Sequence, residues 1–366
     1  MPEGSSNRLS GIELLRFTAA LTVLIAHYQH FYFYGYAQEH FTVEGQPLYR
    51  FLWLFYRYGT RAVEVFWCLS GFIFFFKYAD VIGARKMPIR RFFWLRFSRL
   101  YPLHIVTLIA ICPLQWAYFR FHGSFYVVEF NDFRHFVLNL LFAQYWGFQD
   151  GFSFNGPSWS VSVELLAYLF FFVATFLFKA DLFVVLVCLA ACVAIDRYIG
   201  AEPVALRCIF YFYLGGLSCL AYRAIGAWKR VPAGWVMLGA GVPLLAWALF
   251  EFLLSGNVDW ILNLWVPVAL AVLAAASGSI SGRVARVFDS LGNLTYASYM
   301  IHFPIQLAFM VLVGILGIDH GFAGSPYFLL GYLLLVLGAS GPVYKRIELP
   351  LQDMIRSRAL GGRSGA

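Results

Sequence analysis

An arginine and a deep histidine lie inside the first apolar run of the chain, where ionisable side chains are costly. Residues 11–34 read GIELLRFTAALTVLIAHYQHFYFY, which is long enough to cross a bilayer, and they include Arg16 and His27. Arg16 and His27 are eleven residues apart. In an α-helix, eleven residues correspond to about 20° beyond three full turns and ~16 Å along the axis. The two side chains are therefore predicted to lie on one helix face. A cation near one membrane surface and a titratable imidazole well inside indicate a buried polar path.

A carboxylate and a small residue occupy the second apolar segment, GTRAVEVFWCLSGFIFFF. Glu64 lies in an aromatic run, where an unpaired carboxylate is expensive, so we expect Arg61 or Arg16 as its partner. A structural ion pair and a role in the substrate path remain equally open for Glu64. Ser70, followed by Gly71, is more typical of helix packing than of a site.

Arg96 and Arg99 precede the third apolar run in RRFFWLRFSRLYPL and share a helix face at i, i+3. One interpretation is that they are positive-inside anchors of the topology. The other is that they bind the phosphates of an anionic ligand at the cytoplasmic mouth, because guanidinium contacts phosphate bidentately.

A third polar pattern opens the run GPSWSVSVELLAYLFFF. Ser160, Glu164 and Tyr168 follow at i, i+4, i+8, so they are predicted to share one face of a helix that starts at the outer surface. Helix capping by Ser158 or Ser160 would explain the serines. It does not explain the glutamate.

The ninth apolar run, LGNLTYASYMIHFPI, places Thr295, Tyr299 and His302 at i, i+4, i+7. His302 is predicted near mid-membrane. A buried histidine satisfied by a neighbouring hydroxyl and a histidine of the site remain equally open.

Composition sets the class of protein that must position these residues. The 366 residues are 61% hydrophobic and only 13% charged. Long unbroken apolar runs at this composition predict an all-α, polytopic integral membrane protein, since lipid requires every backbone group to be paired within the span. The net charge of +8 lies mainly in short loops between spans, so we expect no nucleic-acid partner. The six cysteines lie in or beside apolar runs, which favours buried thiols, and no metal site is predicted.

The basic loops predict about ten transmembrane helices with both termini in the cytoplasm. We assign the spans near residues 11–34, 59–77, 100–119, 159–178, 182–199, 205–222, 232–254, 260–277, 292–316 and 326–344. The shorter run Phe133–Trp146 is assigned as re-entrant or interfacial, because a crossing there would place the later basic clusters outside. This gives cytoplasmic tails at 1–10 and 346–366 around a transmembrane domain at 11–345.

Six motifs in this order resemble the membrane acyltransferase type-3 family, which includes O-acetyltransferases of bacterial surface polysaccharides. They are Arg16 with His27, VEVFWCLSGF, RFSRLYP, WSVSVELLAY, LTYASYMIHFP and the closing IELP. The resemblance runs from Gly11 to about Pro350. Trp67 and Cys68 stand where the family usually has phenylalanine or valine, and Thr295 where serine is common.

The resemblance implies acyl transfer from cytoplasmic acyl-CoA, most often acetyl-CoA, to a hydroxyl of a carbohydrate or glycolipid acceptor at the cell envelope. Acyl-CoA would be a co-substrate, and no bound cofactor is expected. An inner-membrane location with both termini cytoplasmic follows from the same reading.

The residues are compatible with this chemistry. His27 would be the base that takes the acceptor proton, with Glu164 as its orienter or as a ligand of the acceptor hydroxyl. Tyr299, Ser70 or a second histidine, His302, would stabilise the tetrahedral intermediate. Contacts to the CoA phosphates would come from Arg16, Arg96 and Arg99, and Glu64 and Ser70 are grouped with this acyl-CoA side. No nucleophile elbow is present in the sequence, so we favour direct transfer over an acyl-enzyme.

A proton-coupled transporter or a flippase of a lipid-linked sugar is the main alternative. Buried Glu64, Glu164, His27 and His302 would then form a proton relay. Such proteins carry inverted repeats with broken helices, and the sequence has no such repeat. A purely structural membrane protein would leave the buried charges unexplained.

Overall fold

The computed structural model describes residues 9–34, 37–38, 41–199, 203–227, 246–277, 280 and 282–361. Helices dominate this part of the chain, and a two-residue antiparallel ladder pairs Phe33–Tyr34 with Ala37–Gln38. The α-helices are α1 Ser10–Ala26, α2 Tyr49–Tyr58, α3 Ala62–Gly83, α4 Ile89–His122, α5 Phe133–Leu140, α6 Trp159–Phe178, α7 Leu182–Ile199, α8 Val204–Ala227, α9 Ala246–Ser255, α10 Val266–Ser277, α11 Gly282–Leu316, α12 Pro326–Val343 and α13 Leu349–Leu360. A 3₁₀-helix at His27–Tyr32 continues α1, and π-turns at Ile261–Trp265 and Tyr344–Glu348 precede α10 and α13.

Eight helical stretches in the described ranges are long and apolar enough to cross a membrane. They coincide with eight of the predicted spans and confirm an all-α, polytopic membrane protein. The predicted span 260–277 corresponds to the shorter apolar helix Ile261–Ser277. The predicted span 232–254 falls largely outside the described residues, which include only Ala246–Ser255 of it.

Three helices extend beyond the predicted spans. Helix α4 begins at Ile89 instead of near 100, and α11 begins at Gly282 instead of near 292. After α12 the helical path continues through the π-turn and α13 to Leu360, past the predicted domain end at 345. Hydropathy marks only the bilayer core, about 30 Å thick, whereas 34 residues of helix are ~50 Å long. The added turns carry arginines and pack on other helices.

The connection between α4 and α6 folds back into the helix bundle. Helix α5 has eight residues and is ~12 Å long, too short to cross the bilayer, in line with the re-entrant or interfacial assignment. Asp132 caps it by accepting the main-chain N–H of His135 at 2.9 Å and its imidazole at 2.8 Å. Although burial alone would raise it, these bonds hold the pKa of Asp132 below its ordinary value. Beyond α5, Asn155 is buried and donates to the carbonyl of Met300 in α11.

The first turn of helix α6 is therefore buried within the protein. Neither Ser158 nor Ser160 caps it: the Ser158 hydroxyl accepts from Gln144 at 3.0 Å, and Ser160 bonds to the Pro157 carbonyl at 3.4 Å. Trp159, the first residue of α6, packs edge-on against buried Trp67.

Helices α1 and α11 pack against each other, and both face the cavity described below; α11 also contacts α4 and α12. The tightest approach is between α3 and α8. A Cβ on Gly71 would lie 1.8 Å from the Phe212 carbonyl oxygen, and one on Gly215 would lie 1.8 Å from that of Cys68. Only glycine allows these two backbones to meet, which is the usual device for helix association in lipid.

We expect Gly215→Ala to lower the melting temperature of the detergent-solubilised protein, because the added methyl group collides with backbone. Overpacking of this kind costs roughly 1–3 kcal/mol. The matched control is Gly331→Ala in α12, where an added Cβ meets no atom within 4 Å. Equal melting temperatures for the two variants would contradict the close packing of α3 on α8.

Candidate active site

An elongated cavity of about 450 Å³ opens between α1, α3, α4, α6, α11 and α13. Its wall follows α11 from Asp289 to Tyr299, ~15 Å along the axis, and α3 from Phe66 to Lys77. Several residues predicted for the site line it: Arg16, Ser70, Arg96, Arg99, Glu164 and Tyr299. Ser160 and Tyr168 share the wall with Glu164, as the i, i+4, i+8 spacing predicts. His27, His302 and Glu64 do not line it.

One end of the cavity is cationic. The Arg96 guanidinium donates to the Tyr78 hydroxyl at 2.6 Å and lies over the Phe74 ring at 5.1 Å. Arg99 donates to the Glu348 carboxylate at 2.6 Å, so the glutamate of the closing IELP motif holds this guanidinium. Lys77 also lines the wall. This end has the charge that phosphate oxygens require.

Glu164 lies on the wall between the two ends. It is buried, the Ser70 and Tyr168 hydroxyls lie beside its carboxylate, and its Oε1 has no hydrogen-bond partner. Arg16 is a nearby cation. Arg16 itself pairs with Glu13 at 2.9 Å, and the Glu13 carboxylate fits against the bare backbone of Gly292, where a Cβ would lie 2.0 Å from Oε2.

The opposite end of the cavity carries two hydroxyls. Tyr299 donates its phenolic hydrogen to the Pro157 carbonyl at 2.7 Å, and the Ser160 hydroxyl lies 2.6 Å from the same phenolic oxygen. Because the phenolic hydrogen is committed to Pro157, Ser160 is the donor within this pair. Tyr299 would have to leave Pro157 to stabilise an oxyanion directly.

Immediately beyond this end lies a pair of histidines. His302 follows Tyr299 by one turn of α11, with ring centroids 5.8 Å apart. The Nε2 atom of His302 is 2.8 Å from Nδ1 of His27, and the two rings are stacked. The second nitrogen of His302, Nδ1, is 2.6 Å from the main-chain carbonyl of Tyr299.

These distances assign the tautomers. A carbonyl only accepts hydrogen bonds, so His302 carries its hydrogen on Nδ1, and its Nε2 accepts. His27 must then donate from Nδ1. The lone pair of the His27 imidazole is therefore on Nε2, the form that a general base requires.

Two residues of this cluster, His30 and Gln306, were missed by the sequence analysis, which selected only His27 from this end of the first apolar run. His30 stacks on His27 with ring centroids 4.9 Å apart. The α-helix ends at Ala26, and in the 3₁₀-helix that follows side chains at i and i+3 eclipse. Gln306 donates from Nε2 to the His27 carbonyl at 2.9 Å, and its Oε1 lies 3.2 Å from Nδ1 of His30. The HxxH spacing was the available signal.

Glu64 lies apart from the cavity, although it was grouped with the acyl-CoA side. Its carboxylate pairs with Arg61 at 3.0 Å, the predicted partner, and also with Arg207 of α8, which was not predicted. Arg61 in turn pairs with Asp259. A separate cavity of about 200 Å³, lined by Arg61, Arg207, Asp259 and others, adjoins this cluster.

Residues 9–344 match the family model described as "Acyltransferase domain". The chain is 25% identical to "Acyltransferase MdmB" of Streptomyces mycarofaciens over 390 aligned residues, which cover 96% of this chain and 93% of that protein. No solved structure gives a significant match. The chain belongs to the membrane acyltransferase type-3 family. It is a membrane-bound acyltransferase, and the transporter and scaffold alternatives have no comparable support.

We expect Glu64→Gln to lower the melting temperature by several degrees, because it leaves two half-buried arginines short of a counter-charge. Breaking a buried ion pair costs roughly 3–5 kcal/mol. The KM for the acyl donor should not change, since Glu64 lies outside the cavity. The control is Asp80→Asn, which removes an exposed pair with Arg223 and should cost at most about 1 kcal/mol. If Glu64→Gln raises the KM for the acyl donor and leaves the melting temperature unchanged, Glu64 does contribute to donor binding.

Proposed function

We propose that this acyltransferase moves an acyl group, most simply acetyl, from cytoplasmic acyl-CoA to a hydroxyl of a carbohydrate or related acceptor at the cell envelope. The observation that carries the proposal is the polarity of the elongated cavity. Arginines gather at one end, two hydroxyls at the other, and a histidine with its lone pair on Nε2 lies just beyond the hydroxyl end.

The donor would bind along the cavity with its phosphates at the arginine end. Each charged hydrogen bond to phosphate contributes roughly 1.5–3 kcal/mol, so about three to five such bonds amount to the ~8 kcal/mol of micromolar affinity. The pantetheine arm would then run past Ser70 and Glu164 toward Ser160 and Tyr299. This direction brings the thioester close to His27.

His27 is the proposed base. Its Nε2 would take the proton of the acceptor hydroxyl as the acceptor oxygen attacks the thioester carbonyl carbon. The tetrahedral intermediate then collapses with cleavage of the C–S bond, and the imidazolium returns the proton to the departing CoA thiolate. Ser160 is the proposed donor to the intermediate's oxygen, for which its one hydroxyl hydrogen must turn from the Tyr299 oxygen to that oxygen. Glu164 is not in contact with His27, so we assign it to the donor or acceptor hydroxyls instead of to orientation of the base.

The class of acceptor rests on the family resemblance. The name of the Streptomyces relative, an acyltransferase, agrees with the reaction type. We further propose a location in the inner membrane with both termini in the cytoplasm. The exposed basic turn Arg85–Lys86 beside the arginine end supports this orientation under the positive-inside rule.

We expect His27→Gln to reduce turnover by ~10²–10⁴-fold with little change in melting temperature or donor binding, because an amide accepts no proton at neutral pH. His122→Gln, at the far end of α4, is the matched control and should keep wild-type turnover. Melting temperature and transfer rate are measured on the same purified variants. Wild-type turnover in folded His27→Gln enzyme would end the mechanism.

His302 should act by positioning. We expect His302→Gln to retain more activity than His302→Leu, because only glutamine offers an oxygen to the Nδ1 hydrogen of His27. A difference of about ten-fold or more corresponds to one lost hydrogen bond to a buried group. Equal losses in two equally stable variants would show that the tautomer of His27 does not depend on His302.

Orientation is tested by cysteine labelling from outside intact cells. A membrane-impermeant maleimide should label Phe148→Cys, exposed in the α5–α6 connection, and should leave Lys86→Cys, exposed in the α3–α4 turn, unlabelled until the cells are opened. The unsubstituted chain provides the background of the six native thiols. The reverse pattern would invert the proposed topology.

A further inference from the structure

Helix α13 contributes residues to the cavity that the sequence analysis had counted as a cytoplasmic tail. It packs along the N-terminal half of α4 and places Gln352 and Arg356 in the wall at the arginine end. Arg356 was not among the predicted site residues. An arginine that only sets the membrane topology does not need to line a cavity, whereas Arg356 does line one.

Arg356 lies close to the guanidiniums of Arg96 and Arg99 in the cavity wall. Its Nε donates to the Ser98 hydroxyl at 3.1 Å, and Ser98 lies between Arg96 and Arg99 in the sequence RFSR. Arg99 is balanced by Glu348, whereas Arg96 and Arg356 make hydrogen bonds to the neutral hydroxyls of Tyr78 and Ser98. Half-buried like charges repel unless an anion lies among them, so the cluster is suited to an anion.

Gln352 holds the guanidinium of Arg356 in place. With the amide oriented so that its oxygen faces the arginine, Oε1 accepts from both terminal nitrogens, at 2.8 and 2.9 Å. A guanidinium has five N–H groups, of which these bonds and the bond to Ser98 use three. Two N–H groups remain available for a phosphate. Because the guanidinium is already held in place, it loses little side-chain entropy when a phosphate binds.

We propose that Arg356 binds a phosphate at the nucleotide end of the acyl donor, so that α13 closes the donor site and selects acyl-CoA over acyl donors that lack the nucleotide. The proposal rests on the proposed function for the identity of the donor. Arg96, Arg99 and Arg356 would share the phosphate oxygens, and Arg16 lies on the same cavity wall, near Glu164 and Glu348.

A phosphate could also come from an anionic lipid headgroup at the membrane surface, since the chemistry of recognition is the same. The two sources are separated by the nanodisc composition. The full-length enzyme is placed in discs of phosphatidylcholine alone and in discs with added phosphatidylglycerol. Adenosine 3′,5′-bisphosphate serves as the soluble probe of the nucleotide end, and acetyl-pantetheine as a donor without it.

The test compares Arg356→Gln with Arg358→Gln, an exposed arginine two residues further along α13 that does not line the cavity. We expect Arg356→Gln to weaken bisphosphate binding and to raise the KM for acetyl-CoA by about ten-fold or more. Its kcat/KM for acetyl-pantetheine and its melting temperature should match those of Arg358→Gln. Arg356→Lys, which keeps the charge and loses the fork, should fall between wild type and Arg356→Gln.

Three results would overturn the assignment. If Arg356→Gln binds the bisphosphate like wild type, Arg356 does not bind the nucleotide end. The same conclusion holds if its kcat/KM falls by the same factor for acetyl-CoA and for acetyl-pantetheine. If its only defect is a changed response to phosphatidylglycerol, the arginine binds lipid. If the wild-type enzyme neither binds the bisphosphate nor uses acetyl-CoA, the proposed donor itself is wrong, and this inference falls with it.

Discussion

The hydrogen bond between the His302 imidazole and the Tyr299 carbonyl is the constraint on which the chemistry of this protein depends. It fixes the hydrogen of His302 on Nδ1, which makes Nε2 an acceptor for His27 and leaves the His27 lone pair on Nε2. The backbone of α11 thus sets the protonation pattern of a residue in another helix. The tight 3₁₀ turn after Ala26 stacks His30 on His27, and Gln306 donates to the main-chain carbonyl of His27 in that turn. The tautomer of the proposed base, His27, is thus set by a main-chain carbonyl through His302.

The second constraint is the free-energy cost of placing a charge inside a membrane. The buried charged residues form three groups, which differ in their partners and in whether they line the cavity. Glu64 is matched by Arg61 and Arg207 and lies outside the cavity, as a structural cluster would. Two arginines that line the cavity have carboxylate partners: Arg16 pairs with Glu13, and Arg99 pairs with Glu348. The remaining arginines of the cavity have neutral partners, and this surplus of positive charge defines the proposed donor site. Tight packing of α3 on α8 through Gly71 and Gly215 keeps the α3 wall of the cavity in place.

Much of this architecture was predictable from the sequence, because membrane helices obey few rules. Apolar run length gave the spans, and the 3.6-residue period placed Ser160, Glu164 and Tyr168 on one face, all three on the cavity. The misses have physical causes. Hydropathy ends at the bilayer core, so it could not show that α4 and α11 begin earlier or that α13 brings Arg356 back to the site. His30 was missed since the helical period was applied across a 3₁₀ turn. The pairing of Glu64 with Arg207 joins residues 143 apart in sequence, which no local pattern reveals.

The central claim is that the acyl donor lies lengthwise in the cavity, with phosphates at the arginines and the acyl group beside the histidines. A cryo-EM structure of the full chain with an acetyl-CoA analogue, in which the thioester is replaced by an unreactive ketone, tests it most directly. The account predicts phosphate density in contact with Arg96, Arg99 and Arg356, and the ketone next to Ser160 and Tyr299 on the side facing Nε2 of His27. A donor bound with its acyl end among the arginines, or in the separate cavity lined by Arg61 and Arg207, would contradict it.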